Sequence, residues 1–315
     1  MSNQRVNVTT NNDKRVFLIA GPTASGKSAL ALMLAERTQG VIINADAMQL
    51  YADLRVLTAR PSTEDEARAP HKLYGHVDGA HRYSVGKWLA EVERELSQAW
   101  EMGLPAIVVG GTGLYFKALE EGLSPVPDIS NDVRTAVAAE LETDGVIALH
   151  ASLRQADEAS ARAIEPGDAQ RIVRALEVMR ETGTPLSEWN KKPVKSLLDG
   201  AEVSRGFAAP PRDELYERCN ARFLQMIDNG AIGEVEELLE RGLASDLPVM
   251  KAIGVREFSA YMKDELTLRE AIEKAQMQTR RYAKRQMTWF RGQMAHWPSG
   301  VNLEMKGHFL QAAAT

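Results

Sequence analysis

The chain has 315 residues, a formal net charge of −5, 44% hydrophobic residues and 26% charged residues. These values exclude a fibrous or intrinsically disordered protein, and the length allows one large or two ordinary domains. The single cysteine, Cys219, excludes an internal disulfide and a cysteine-based zinc site. The net charge does not exclude a nucleic-acid partner, because positive residues can cluster on one face.

The first fifteen residues are polar and lack the apolar core of a secretory signal. No later stretch offers the roughly eighteen uncharged apolar residues that a membrane helix needs. A lone cysteine also fits a reducing compartment. We therefore expect a cytoplasmic protein with no membrane partner.

The first motif is a phosphate-binding loop between a predicted strand and a predicted helix. The apolar run 16–20 leads into GPTASGKS at residues 21–28, which matches the pattern G-x-x-x-x-G-K-[ST]. In such a loop, backbone N–H groups and the helix N-terminus form a positive concave site for phosphate oxygens. We expect the whole loop to bind linked phosphates, through Gly21, Pro22, Thr23, Ala24, Ser25, Gly26, Lys27 and Ser28.

The next elements alternate between helix and strand. A helix is predicted over 29–38, ended by Gly40, and a strand over 41–44 delivers Asp46 at its carboxyl end. Ligands of open α/β sheets bind at those strand ends, so Asp46 is expected beside the phosphate loop. An aspartate that merely caps a turn is the simpler alternative. A second helix is predicted from Ser84 to Trp100, with a buried stripe of Val85, Leu89, Val92 and Leu96.

A third strand is predicted over 106–109 and runs directly into GGTGLYFKAL at 110–119. We expect the glycines of this segment to bring the backbone close to a ligand. Strands that alternate with helices predict an α/β fold, a P-loop parallel sheet flanked by helices.

The pattern changes after Gly122, where a turn-rich stretch precedes a region that predicts only helices, with caps at Asp157 and Asp168. We interpret residues 123–199 as an all-helical insertion subdomain, and residues 1–122 and 200–315 as the P-loop core. Further predictions are a short strand at 71–77, a returning strand at 203–208, and helices at 212–228, 231–241 and 255–262.

The last long helix, predicted over 268–291, has a basic side with no acid between Thr279 and Arg291. A solvated helix face is the simpler interpretation, and a polyanion-binding face is the alternative, because aromatic residues interrupt the basic ones. The basic residues are Arg280, Arg281, Lys284, Arg285 and Arg291, and the predicted buried stripe is Leu268, Ile272, Ala275, Tyr282 and Trp289.

A phosphate loop alone does not define the reaction. The chain has no N-K-x-D sequence for guanine and no D-x-x-G switch, and its strand at 106–109 ends in glycine where an ATPase usually has a metal-binding aspartate. Two alternatives stay open from these residues: a small-molecule kinase that uses ATP with Asp46 as the base, and an RNA-binding module with a degenerate loop.

Seven blocks resemble tRNA dimethylallyltransferases of bacterial type, in order and over nearly the whole chain. This resemblance implies transfer of a dimethylallyl group from its diphosphate to N6 of the adenosine just 3′ of the anticodon, in tRNAs that read codons beginning with U. We expect a monomer without an obligate protein partner. The chain lacks the Cys/His zinc extension of eukaryotic relatives. The blocks are GPTASGKS (21–28), NADAMQLY (44–51), LTARP (57–61), GGTGLYFKAL (110–119), DAQRIVRALEV (168–178), MKAIGVREF (250–258) and RRYAKRQMTWFR (280–291).

The resemblance assigns three catalytic residues. Asp46 matches the proposed general base, Thr112 a hydroxyl near the diphosphate and the amine, and Arg222 an arginine that helps to hold the diphosphate. A Mg²⁺ ion held in part by Ser28 is expected to assist the leaving diphosphate. The simpler alternatives are a helix N-cap for Thr112 and a surface ion pair with Glu217 or Asp228 for Arg222.

The resemblance also implies tRNA contacts, with Gln49 as a candidate reader of an adenine edge. Two positions depart from the commonest family pattern: Ala47 replaces a serine, and Lys72 stands where a histidine is frequent. The expected tRNA-binding residues are Asp46, Ala47, Met48, Gln49, Thr112, Arg134, Gln170, Arg171, Ile172, Val173, Arg174, Lys284 and Arg285.

Overall fold

A parallel sheet of six strands is the centre of the larger unit in the computed structural model, which describes residues 14–314. The predicted α/β fold is therefore confirmed. The strand order is β3-β2-β4-β1-β5-β6. In chain order the strands are β1 (Arg15–Ala20), β2 (Val41–Asn44), β3 (His71–Lys72), β4 (Ala106–Gly110), β5 (Glu202–Ala208) and β6 (Ser299–Gly300).

The chain divides into two compact units, one formed by residues up to Glu120 and from Leu197 onward, the other by Glu121–Ser196. The predicted insertion was 123–199. The helices of the larger unit are α1 (Lys27–Thr38), α2 (Thr63–Arg68), α3 (Val85–Glu101), α4 (Gly113–Glu121), α9 (Arg212–Asp228), α10 (Ala231–Glu240), α11 (Val255–Met262), α12 (Leu268–Gln293) and α13 (Asn302–Ala314). Those of the smaller unit are α5 (Asn131–Ala156), α6 (Glu158–Ala163), α7 (Ala169–Thr182) and α8 (Leu186–Trp189).

Both faces of the sheet are covered, which explains the continuous apolar runs at residues 16–20 in β1 and 106–109 in β4. Along β1, Val16 and Leu18 enter one core cluster, whereas Phe17 and Ile19 enter the cluster on the opposite face. Side chains alternate between the two faces of a strand, so each face receives every second residue. A continuous apolar run is therefore the expected pattern here.

The predicted ends and faces of several elements needed correction. Helix α1 ends through Gln39, which has a left-handed φ of 57°, and not through Gly40. A Cβ on Gly40 would lie 2.9 Å from the Pro105 carbonyl oxygen, so this glycine serves close packing. Helix α3 does begin at its Ser84 cap, but its buried face is Trp88, Val92, Leu96 and Ala99. The strand predicted at 71–77 is reduced to the two residues of β3.

Helix α12 also buries a different stripe from the predicted one. Of the five predicted positions, Ala275 is fully buried, whereas Leu268, Ile272, Tyr282 and Trp289 are only half-buried. Its buried residues are Ala271, Ala275, Thr279, Ala283, Gln286, Met287 and Phe290.

The smaller unit has its own core and the predicted helix caps. Asp157 accepts a hydrogen bond from the Ser160 N–H, and Asp168 accepts one from the Arg171 N–H. Helix α5 is interrupted at Gly145, where φ is 80°. Its buried apolar cluster is Val137, Leu149, Leu153, Ala161, Ile172, Ala175 and Leu176.

The C-terminal helix α13 was not predicted, yet it covers one face of the sheet. Phe309 is fully buried, and its ring contacts the Phe17 ring edge-on at a centroid distance of 6.3 Å. Among the helices of residues 14–314, none is long and apolar enough to cross a bilayer. The prediction about a secretory signal falls on residues that lie almost entirely outside the described range.

We expect Phe309→Ala to lower the free energy of unfolding by about 3–5 kcal/mol, because the substitution leaves a cavity against the sheet. Leu303→Ala on the same helix is the matched control, since Leu303 is 79% exposed, and its effect should stay within about 0.5 kcal/mol. Urea unfolding measures both. Equal midpoints for the two variants would contradict the packing of α13 against the core.

Candidate active site

The phosphate loop leaves β1 and curves into α1 through two left-handed residues. Ala24 has φ 62° and Gly26, the N-cap of α1, has φ 87°. This conformation is unfavourable for alanine, and such strain is typical of functional sites. It also turns successive N–H groups toward one concave surface.

Not every loop residue predicted to bind phosphate offers a backbone N–H. The Gly21 N–H donates to the Gly110 carbonyl, the Thr23 N–H to the Gln286 side chain and the Ser25 N–H to the Pro22 carbonyl, and proline has none. These residues shape the loop. The remaining N–H groups are those of Ala24, Gly26, Lys27 and Ser28, the last two in the first turn of α1, where intrahelical acceptors are lacking.

Two half-buried cations lie beside this loop. The Lys27 ammonium donates to the Pro22 carbonyl at 3.3 Å, and burial lowers its pKa to about 8, against an opposing effect of the nearby Asp46 carboxylate. The Arg222 guanidinium donates to the Thr23 hydroxyl, and burial lowers its pKa as well. Among the described residues, Arg222 forms no ion pair with Glu217 or Asp228. The surface ion-pair alternative is therefore wrong.

The backbone of Asp46 is fixed by the buried side chain of Asn44. The Asn44 Oδ1 accepts from the Asp46 N–H at 2.8 Å, and its Nδ2 donates to the Asp46 carbonyl at 3.0 Å. The Asp46 Oδ1 accepts from the Met48 N–H at 3.0 Å, so the turn-cap alternative holds for that oxygen. The second oxygen, Oδ2, has no hydrogen-bond donor within residues 14–314, and Asp46 is one of the residues that line a cavity.

Thr112 is joined to the Asp46 turn. Its hydroxyl accepts from the Ala47 N–H at 2.9 Å, and its own N–H donates to the Ala45 carbonyl at 3.1 Å. The Thr112 hydroxyl therefore bonds the Asp46 turn and does not cap the helix that follows it. A hydroxyl that accepts one bond still has a proton to donate. The donor in this bond is the backbone N–H of Ala47. The bond therefore does not depend on whether residue 47 is alanine or the serine common in the family.

The glycines of GGTG make room for protein groups. A Cβ on Gly110 would lie 2.0 Å from the Ala45 carbonyl oxygen, one on Gly111 2.1 Å from the Gln286 amide nitrogen, and one on Gly113 2.1 Å from the Trp289 ring. The space beside these three glycines is therefore occupied by protein groups, and the predicted close approach to a ligand stays a prediction. These glycines allow β4, the Asp46 turn and α12 to approach one another.

A cavity of about 390 Å³ lies beside Thr23 of the phosphate loop. A second cavity of about 290 Å³ is lined by Ala24, Gly26, Lys27 and Ser28, and Arg222 lines both cavities. Asp46, Thr112, Thr23 and Arg222 line the polar part of the larger cavity. Sequence reasoning missed several other lining residues, although Lys251 and Tyr282 lie within two of the quoted blocks. The additional residues around the larger cavity include Leu57, Cys219, Phe223, Met226, Lys251, Ile253, Thr279 and Tyr282.

The predicted tRNA-binding residues fall into different places. Ala47, Met48 and Arg285 line the larger cavity, and Lys284 is exposed on α12. The Gln49 amide nitrogen donates to the Thr58 and Ala59 carbonyls at 2.9 and 2.8 Å, so only its oxygen could read a base.

The other predicted tRNA contacts belong to the smaller unit. Ile172 is fully buried in that unit's core, so its side chain is not a surface contact, and only its backbone is left for the predicted tRNA contact. Arg134 and Val173 are half-buried. The exposed residues are Gln170, Arg171 and Arg174.

The start of α1 offers one oxygen ligand that fits the expected Mg²⁺ ion. Ser28 presents an exposed hydroxyl at the start of α1. Within the described part of the chain, no group of three or more His, Cys, Asp or Glu could enclose a metal ion. Mg²⁺ commonly keeps several waters and binds phosphate oxygens together with one or two protein ligands.

Comparison with known proteins identifies related sequences over almost the whole chain. The family model described as IPP transferase matches residues 49–293, and that described as isopentenyl transferase matches residues 14–75. The chain is 49% identical over 302 residues to the tRNA dimethylallyltransferase of Phenylobacterium zucineum, covering 96% of this chain and 97% of the relative. It is 54% identical over 280 residues to that of Methylobacterium nodulans, covering 89% and 92%.

Solved structures give the same picture. The tRNA isopentenylpyrophosphate transferase of Bacillus halodurans superposes with a TM-score of 0.66 at 31% identity, covering 96% of this chain and 97% of that one. A eukaryotic dimethylallyltransferase described as acting on tRNA gives a TM-score of 0.76 at 27% identity, covering 88% and 70%.

The lowered pKa of Lys27 predicts a pH dependence of diphosphate binding. A bound anion favours the charged ammonium and raises its pKa, so above pH 8 binding must take up a proton. Affinity for an alkyl diphosphate should therefore be constant near pH 7 and fall, by up to about tenfold per unit, as pH rises through 8. Calorimetry checks this, with Lys27→Arg as the control that stays charged. Parallel profiles for the parent and Lys27→Arg would contradict it.

Proposed function

The chain belongs to the IPP transferase family, and we propose its mechanism from that membership. The enzyme is a prenyl transferase that acts on tRNA. We propose that the donor is dimethylallyl diphosphate and the acceptor is N6 of the adenosine 3′-adjacent to the anticodon, in tRNAs that read codons beginning with U. The products are N6-isopentenyladenosine and diphosphate. The observation that carries this mechanism is the cavity that Asp46 and Thr112 line together with Thr23 of the phosphate loop and with Arg222, which also lines the cavity beside Lys27.

Asp46 acts as the general base in this mechanism. The N6 lone pair of adenine is delocalised into the ring, so the amine attacks the allylic carbon better when a base takes its proton. Asp46 lines the cavity. Its Oδ1 and its backbone are held in place, whereas no donor within residues 14–314 bonds its Oδ2. As the new C–N bond forms and the C–O bond to diphosphate breaks, the N6 proton passes to Oδ2. A base of this kind contributes about 10²–10⁴ in rate.

The phosphate loop stabilises the leaving group. Diphosphate gains charge as the C–O bond breaks, and the free amides of the loop, Lys27 and Arg222 surround the place where that charge develops. The Thr112 hydroxyl can donate its proton to the same oxygens. Bound Mg²⁺, held in part by Ser28, would supply further neutralisation of the diphosphate.

The apolar side of the cavity suits the dimethylallyl group. Phe223, Met226 and Leu57 line it, and the Phe223 ring stacks on that of Phe258 at a centroid distance of 6.0 Å. The dimethylallyl group is a hydrocarbon, so its burial against these side chains is favourable. The prenyl donor explains both the loop and these apolar side chains, so we favour it over ATP.

For tRNA, we propose contacts from two regions, each considered by itself. Helix α12 exposes Lys284 and Arg285, and the smaller unit exposes Gln170, Arg171 and Arg174. The target adenine must be unstacked before its amine can enter a cavity, and this favours a single-stranded anticodon loop. We also propose that the protein acts as a monomer without an obligate protein partner, in the cytoplasm where tRNA is found.

The reaction is tested directly with Asp46→Asn. Purified parent protein, unmodified tRNA and dimethylallyl diphosphate should give isopentenyladenosine, detected by mass after nuclease digestion. The asparagine oxygen can still accept from the Met48 N–H, so tRNA affinity should stay within threefold while the rate falls by about 10²–10⁴. Asp228→Asn, on an exposed residue of α9, is the control. Product formation by Asp46→Asn at the parental rate would exclude Asp46 as the base.

Phosphate contacts from α12 predict a change in salt dependence. In the double variant Lys284→Ala and Arg285→Ala, tRNA affinity should fall and the slope of log affinity against log salt should decrease by about one to two. Arg269→Ala on the same helix is the control, because that exposed arginine already pairs with Glu273. Filter binding between about 50 and 200 mM salt measures the slopes. A double variant as steep as the parent would show that this face does not bind the tRNA backbone.

A further inference from the structure

A buried glutamine of α12 bridges the two loops of the active site. Gln286 is 5% exposed. Its Oε1 accepts from the Thr23 N–H at 2.9 Å, and its Nε2 donates to the Gly111 carbonyl at 2.9 Å. One side-chain amide therefore connects the phosphate loop with the segment that follows β4.

The two bonded residues are neighbours of the reacting groups. The Thr23 hydroxyl accepts a hydrogen bond from the Arg222 guanidinium. Gly111 is followed by Thr112, whose hydroxyl accepts a hydrogen bond from the Ala47 N–H in the Asp46 turn. The Gly21 N–H donates a hydrogen bond to the Gly110 carbonyl at 3.3 Å. This bond joins the same two segments, at residues that precede Thr23 and Gly111 in the chain. Gln286 extends that connection into the residues that border the cavity.

The space around the Gln286 amide is shaped by the glycine at position 111 and by the two polar partners of the amide. A Cβ on Gly111 would lie 2.1 Å from Nε2, so glycine at this position leaves the space that the amide occupies. Burying an amide without partners is costly, and here both of its polar atoms are bonded. A residue that only filled space in this helix would not need two matched polar partners, one in each loop.

We propose that Gln286 is a positioning residue, which sets the separation between the leaving diphosphate on the phosphate loop and the amine at Asp46 and Thr112. The inference rests on the proposed function. Rate depends steeply on the distance between reacting atoms, and a misplacement of about 1 Å can cost about 10²-fold. Donor affinity should change much less, because Gln286 bonds Thr23 and not the amides left for phosphate.

The test is Gln286→Met, which keeps the side-chain volume and removes both bonds. We expect kcat for isopentenyladenosine formation to fall by about 30–100-fold. The Kd values for dimethylallyl diphosphate alone and for tRNA alone should stay within threefold. Gln276→Met is the matched control, since Gln276 lies on the same helix and donates to the Asn220 carbonyl, away from the loops. Circular dichroism and urea unfolding give the folded fraction, to which all constants are normalised.

A substitution at Gly111, the residue next to Nε2, tests the same amide. Gly111→Ala should displace Nε2 and reproduce the loss of kcat, whereas Gly111→Ala combined with Gln286→Ala should lose less than the product of the two single effects. This coupling supports the positioning role even if Gln286→Met folds poorly.

Three outcomes overturn the inference while leaving the proposed function intact. They are a normalised kcat of Gln286→Met within threefold of the parent, a fall in donor affinity as large as the fall in kcat, and independent effects of the Gly111 and Gln286 substitutions. A parent protein that forms no isopentenyladenosine overturns the proposed function itself, and the inference with it.

Discussion

The active site depends on the parallel register of three neighbouring strands. Ala20 at the end of β1 pairs with Gly110 at the end of β4, and Asn44 at the end of β2 pairs with Val109. Parallel strands place their carboxyl ends at one edge, so the phosphate loop, Thr112 and Asp46 emerge there together. Glycine at position 110 permits this arrangement, since a side chain would collide with the Ala45 backbone. The strand register and the glycine at position 110 thus determine where the catalytic side chains lie.

Electrostatics make this edge a site that needs an anion. Lys27 and Arg222 are both drawn out of water, and burial lowers the pKa of each. Two desolvated cations near one another are unfavourable in the free protein, and a polyanion between them relieves that cost. These two cations therefore support the proposed diphosphate donor, whose leaving group gains negative charge in the transition state.

Local sequence patterns predicted the helices and strands, whereas contacts between residues far apart in the chain determine the roles of individual side chains. The loop, the end of β2 and α9 could be predicted because glycine spacing and apolar runs act within a few residues. Gln286 could not, because its partners are 263 and 175 positions away. The same applies to the glycines of GGTG, whose neighbours come from α12 and the Asp46 turn, and to Ile172, which helix packing removes from the surface. The family resemblance identified Thr112 and Arg222, and the structure shows which bonds they form.

The most direct measurement is a crystal structure of the protein with an anticodon stem-loop and an unreactive sulfur analogue of dimethylallyl diphosphate. The account predicts the diphosphate on the free amides of the phosphate loop, next to Lys27 and Arg222. It also predicts the adenine N6 within hydrogen-bond distance of the Asp46 carboxylate, facing the allylic carbon. A diphosphate bound elsewhere, or an N6 whose nearest acceptor is a group other than Asp46, would contradict it.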